Sequence, residues 1–168
     1  ALFVVIGAWA QTIFTSGNLR YRVTNESYGQ VTVYGYVNQP TGKLEIPDLV
    51  MNGSETYRVD AIAANTFANC TAITQVIIPS MLGSIGAGAF LNCTALRHVI
   101  VMRDTPPYLS ETAFNTTNLQ IYVPEHGKES YMESPIWSTF GELKSSIFTD
   151  DQLRYQIIDA IDRTVAVW

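Results

Sequence analysis

The chain has 168 residues, 47% hydrophobic and 15% charged, with a formal net charge of -5. This is enough apolar material for one ordinary core. The acidic balance and the lack of any run of five basic residues argue against a nucleic-acid partner, because phosphate binding needs clustered Lys or Arg.

The first element is "ALFVVIGAWAQ". Residues 1–10 carry no charge and end in Ala8-Trp9-Ala10, an A-x-A cleavage signature, followed by polar Gln11. The stretch is too short to span a bilayer. It reads as the end of a secretory signal peptide, with a first buried strand, Leu2 to Ile6, as the alternative. No Cys sits at the cleavage point, so a lipoprotein anchor is not indicated. The expected protein is exported. Residues 11–43 then read as an N-terminal β-hairpin cap, with strands near Leu19 to Val23 and Val31 to Tyr36. A third strand, Gly42 to Ile46, leads into the next region.

Residues 44–124 repeat. "TFANCTAITQVIIP" begins at Thr66 and "AFLNCTALRHVIVM" at Ala89. Phe67 matches Phe90, Cys70 matches Cys93, and Val76 matches Val99, each at an offset of 23. A looser copy follows at Ala113-Phe114 and Asn115 to Val123, with one residue dropped between the Phe and the strand. A partial earlier copy survives as Leu44-Glu45-Ile46-Pro47, and "MNGSETY" reads as an insertion after it. A fixed period of 20–29 residues marks a leucine-rich-repeat solenoid. Ile73, Val76 and Ile78 face inward, whereas Gln75 and Ile77 alternate outward. Pro79 ends the strand, and Gly83, Gly86 and Gly88 carry the return half-turn. Ile62, Ile85, Phe67 and Phe90 plug the interior, and Asn92 turns the chain. No single coil buries its apolar side alone, so neighbours must stack.

The phrase formed by Ile-Pro, Ile-Gly, Ala-Phe, Asn-Cys-Thr and the strand residues resembles the BspA-like, or treponemal-type, leucine-rich repeats. The match covers about Leu44 to Pro124. Residues 125–144, "EHGKESYMESPIWSTFGELK", look like the terminal cap that follows such repeats, with Tyr131, Trp137 and Phe140 as packing residues. The resemblance implies a solenoid that is mainly β, with short helical or irregular half-turns, an N-terminal β-hairpin cap and a C-terminal aromatic cap. It also implies a secreted or cell-surface module for protein–protein recognition, adhering to host or matrix proteins or to other cells.

A longer repeat closes the chain. "IFTSGNLRYRVTNESYGQVTVY", from Ile13, aligns without gaps to "IFTDDQLRYQIIDAIDRTVAVW", from Ile147, at an offset of 134. Residues 145–168 therefore read as the truncated start of a second, tandem module, and in isolation this tail should be poorly anchored.

Candidate sites are few. Cys70 and Cys93 read either as a ladder of small buried thiols or as a disulfide across adjacent coils. No metal site or cofactor is implied, since no second Cys or His lies at ligand spacing. His98 falls on the outer side of its strand and Cys93 inside, so they do not form a nucleophile pair. No phosphate loop, nucleophile elbow or metalloprotease helix occurs, and no enzyme is expected. Asn25, Asn52, Asn69, Asn92 and Asn115 begin Asn-x-Ser/Thr sequons, three of them as repeat-turn residues. The informative surface is the strand face. One expected exposed column holds Lys43, Gln75, His98 and Gln120, and the other Glu45, Ile77, Ile100 and Tyr122. The tentative ligand-binding set is Gln75, Ile77, His98, Ile100, Gln120 and Tyr122. An apolar stripe rimmed by polar groups marks a protein-binding face. Coverage by a neighbouring segment, or plain β-propensity, explains it equally well. Alternatives to adhesion are a structural spacer in a larger surface protein and a glycan-binding module, for which Tyr122 would be the aromatic platform.

Overall fold

The 23-residue period becomes a rung. Each repeat contributes one strand to each of two sheets, and equivalent strands lie side by side in parallel. The computed structural model describes residues 12–116 and 118–146, together with the backbone of two strands near the C-terminus.

The chain opens with β1 (Ile13–Ser16), β2 (Leu19–Asn25) and β3 (Gln30–Tyr36), an antiparallel meander. β4 (Gly42–Glu45) leaves it to start the second sheet, and β5 (Leu49–Asn52) with β6 (Glu55–Ile62) returns to the first. The repeats supply β7 (Ile73–Ile78), β8 (Ser84–Ile85), β9 (His98–Val101), β10 (Tyr108–Leu109) and β11 (Gln120–Pro124). A short 3-10 turn (Glu125–Gly127), helix α1 (Lys128–Glu133), a second 3-10 turn (Trp137–Phe140) and β12 (Lys144–Ser146) follow. The first sheet runs β1-β2-β3-β6-β8-β10, with β5 paired to β6; from β3 onward this path is parallel. The second runs β12-β11-β9-β7-β4 and is parallel throughout.

One core lies between them. Ile62, Ile85 and Leu109 point in from the first sheet, and Val76, Val99 and Ile121 from the second, all buried as the period requires. Through the middle runs a stack of rings. Tyr36, Phe67, Phe90 and Phe114 follow one another at centroid spacings of 6.2, 5.3 and 5.0 Å, with interplanar angles of 12°, 15° and 4°. Phe140 ends the stack edge-on to Phe114 at 5.9 Å. The expected packing residues Tyr131 and Trp137 are fully buried beside it. The Tyr131 hydroxyl donates to the Arg103 carbonyl and Trp137 Nε1 to that of Pro107, each at 2.8 Å. Aromatic groups so placed bury their rings and satisfy their polar ends on the last rung's own backbone.

The turns explain the asparagines. Asn69 and Asn92 have φ of 63° and 59°, the left-handed region that Asn tolerates better than most residues. Asn65 and Gly88 occupy one equivalent slot and are likewise at 58° and 63°. The amide of Asn92 donates to Asn69 Oδ1 at 3.0 Å, and that of Asn115 donates to Asn92 Oδ1 at 2.9 Å.

Three readings are corrected. "MNGSETY" is not a loose insertion but the β5–β6 hairpin, closed by the two-residue loop Gly53-Ser54 between paired Asn52 and Glu55, with Gly53 at φ 63°. The third copy drops two residues between Phe and strand, not one: Phe90 precedes its strand residue His98 by eight positions, whereas Phe114 precedes Gln120, the partner of His98, by six. Ser145 and Ser146 do not open a loose tail, because they pair with Val123 and Pro124 in β12.

Near the C-terminus, β13 (Tyr155–Asp159) and β14 (Thr164–Val167) form an antiparallel hairpin. Its register copies that of β2–β3. Tyr155 faces Val167 as Tyr21 faces Val33, and the irregularity between Ile157 and Asp159 repeats the one between Val23 and Asn25. The segment 1–10, read above as a signal, lies outside the described residues.

Phe90 sits between two parallel rings, so Phe90→Ala should destabilise the fold by about 3–5 kcal/mol. Phe140 is only partly buried, and Phe140→Ala should cost visibly less. Urea denaturation followed by circular dichroism checks the order.

Candidate functional site

The strand face is built by register alone. Lys43, Gln75, His98 and Gln120 pair in sequence across β4, β7, β9 and β11, and so do Glu45, Ile77, Ile100 and Tyr122. Both expected columns therefore exist. Their expected exposure does not. Ile77, Ile100 and Tyr122 are 3%, 2% and 8% exposed, and Gln75 and His98 are buried as well. Only Lys43, Glu45 and Gln120 stand in solvent. In-register neighbours lie about 4.8 Å apart, so each side chain in a straight column covers the flanks of the next. The tilted His98 and Tyr122 rings, 6.1 Å apart, and the Lys144 ammonium 5.7 Å from the Tyr122 ring centroid extend that cover.

Ile77, Ile100 and Tyr122 form an apolar cluster separate from the main core, with Met102 packed against it. The polar end of the face is tied together at one amide. Gln120 Oε1 accepts from the Tyr122 hydroxyl and from Lys144 Nζ, each at 3.0 Å. Burial raises the Tyr122 hydroxyl above its ordinary value. At the other end Lys43 and Glu45 pair at 3.4 Å, an exposed contact of little energetic weight. Sequence reasoning missed Lys144, whose place on the face follows from β12 pairing with β11.

Cys70 and Cys93 are free, fully buried thiols. Cys93 Sγ donates to the Phe67 carbonyl at 3.2 Å. Burial pushes the Cys93 thiol up to about 11. Cys93 lies in the main core, on the side of β9 that Val99 faces, whereas His98 alternates with Val99 toward the other side. The two are not brought together. Among the described residues no three His, Cys, Asp or Glu side chains cluster as metal ligands, and no helix is long and apolar enough to cross a membrane.

Parallel rungs at a 23-residue period, an asparagine turn and a continuous ring stack define a leucine-rich-repeat protein, mostly strand with little helix. The chain belongs to the BspA type leucine rich repeat family, whose model matches residues 60–155 in six copies. That family is one of protein-interaction modules. A leucine-rich repeat protein from Bacteroides capillosus superposes with a TM-score of 0.61 at 22% identity, covering 80% of this chain and 99% of that one. One from Bacteroides ovatus gives 0.51 at 23% identity, over 67% of this chain and 37% of the other. A leucine rich cell surface protein from Faecalibacterium prausnitzii gives 0.49 at 25% identity, over 67% and 26%. The match thus spans somewhat over a third of the Bacteroides ovatus protein and about a quarter of the Faecalibacterium prausnitzii protein. No curated protein matches the chain.

Two outcomes follow from the thiols. The native protein should resist a thiol-specific reagent at neutral pH, and both cysteines should titrate once it is unfolded in denaturant. The Cys93 thiol holds its proton more tightly when folded than at its ordinary value of 9.0, so its contribution is fully present below pH 9 and is lost as pH rises toward 11. Tyr21, pushed up to about 12 by burial, acts in the same direction above pH 10. Denaturation midpoints should therefore fall steeply between pH 9 and 11, and Cys93→Ala should flatten the lower part of that fall.

Proposed function

We propose that the chain is a non-catalytic recognition module of an exported or cell-surface protein, adhering to extracellular or cell-surface proteins through its strand face. The observation that carries this reading is the in-register strand face, whose columns reach solvent at Lys43, Glu45 and Gln120. Ile77, Ile100 and Tyr122 lie outside the main core on the face that repeats in register, with exposed Lys43, Glu45 and Gln120 at its margins. The buried apolar centre stiffens that face, and the exposed polar side chains are what a partner would meet. Export is supported by the uncharged residues 1–10 and their A-x-A ending.

The rungs are taken to form a short solenoid, with residues 11–43 as the N-terminal cap, 44–124 as the repeats and 125–144 as the C-terminal cap. Residues from 147, after β12, open a second module. The repeated hairpin register at an offset of 134 favours such a tandem array. The array multiplies weak contacts by avidity. The same array suits a spacer that holds another domain away from the cell. The glycan-binding reading loses support, because Tyr122 is buried and offers no open ring face.

The test is a binding screen of the immobilised protein against extracellular-matrix and cell-surface proteins. The exposed double variant Lys43→Glu/Gln120→Ala is the probe, because Ile77→Glu or Ile100→Glu would place a charge in a buried site and unfold the protein. Saturable binding weakened about tenfold or more in the double variant is expected. Binding that the variant leaves unchanged sinks the strand-face assignment, and no binding to any partner moves the weight to the spacer.

A further inference from the structure

The second sheet ends in β4 on one side and in β12 on the other. Each is paired along one edge, and no described strand pairs with its other edge. The two ends are written alike. Gly42-Lys43-Leu44-Glu45 forms β4, and Gly141-Glu142-Leu143-Lys144 leads into β12. Both glycines hold a positive φ, 63° and 81°, and both leucines are buried in the main core. The charges are exchanged: Lys then Glu at β4, Glu then Lys at β12.

Along a parallel strand, alternate residues turn their backbone groups to the same neighbour. The Gly42 N–H donates to the Ala72 carbonyl at 2.8 Å and the Ile46 N–H to that of Ile77 at 3.1 Å. Lys43 and Glu45 therefore turn their N–H and C=O away from β7. A cleft of about 670 Å³ opens beside β4, lined by Lys43, Leu44 and Glu45, by Gly17 and Asn18 of the β1–β2 turn and by Leu49. No β7 residue lines it, so it lies along the open edge and leaves room for an extended segment. At the other end, register sets Lys144 beside Tyr122, in the column that Glu45 begins. Glu142, two residues earlier, shares the side of Lys144 and falls in line with Gln120, in the column that Lys43 begins. Charged side chains on an edge strand ordinarily keep sheets apart. Here each end carries the charges that the other end attracts.

We propose that a second copy of this chain docks its β12 on β4, parallel and in register, so that Glu142 meets Lys43, Leu143 lies beside Leu44 and Lys144 meets Glu45. The contact is head-to-tail. It leaves one β4 and one β12 open on every assembly, and so grows by further copies rather than closing as a two-fold dimer. It rests on neither the adhesion reading nor the tandem one. Sedimentation velocity of the full chain over a wide range of concentration tests it, with two charge-exchanged variants, Glu142→Lys/Lys144→Glu and Lys43→Glu/Glu45→Lys. The unaltered chain should pass beyond a dimer as concentration rises. Each variant alone, with native circular dichroism, should associate about tenfold or more weakly, because like charges then meet. An equimolar mixture of the two should regain the original association, since every altered end finds its match. A two-fold pairing of β4 with β4 would match Lys43 to Glu45 in both variants, so undiminished association of either variant alone overturns the proposal. An unaltered chain that stays monomeric overturns it too, as does a mixture that recovers nothing.

Discussion

The structure depends on one geometrical constraint, that every residue of a rung must tolerate its own equivalent as a neighbour. Parallel in-register pairing sets Val76 against Val99, and Ile77 against Ile100. The interior slot between the sheets must accept a ring above and below, which Phe67, Phe90 and Phe114 do at 5.0–5.3 Å. The turn slot must accept a positive φ, which Asn65 and Gly88 both do by different means. The doubled phrase in the sequence is this constraint written in residues. It needs no chemistry to explain it.

Those slots were legible because each demand is local and repeats. The core positions, the asparagine turns and the aromatic residues of the C-terminal segment all follow from the period and residue type. The β5–β6 hairpin was hidden because a repeat frame makes any extra residues look like an insertion, although Gly53-Ser54 is itself a two-residue hairpin signal. β1 and β12 were hidden because neither shows the repeat's spacing. Only the pairing of β12 with β11 reveals that Lys144 completes the strand face.

The candidate site was half legible. Alternation assigns Gln75, Ile77, His98 and Ile100 to the side away from the core, and register confirms the columns. Alternation says nothing about how much water reaches that side. The depth of burial depends on what the neighbours cover, and no pattern within a single strand contains that. The consequence is functional as well as structural. The side chains that stand in solvent, Lys43, Glu45 and Gln120, mark the ends of the face, and its apolar centre is already packed.

The asparagine column has a further meaning for the sequons. Asn92 and Asn115 each spend their amide nitrogen on the rung before, through bonds of 3.0 and 2.9 Å. That nitrogen is the atom to which an N-linked sugar would be joined. A sugar fixed there before folding would take one of that nitrogen's two hydrogens and set a bulky group between the stacked turns. The sequons at these two positions are thus a by-product of turn chemistry. In a glycosylating expression host they would work against assembly of the stack, and Asn92→Ser would be a poor remedy because it loses the amide altogether.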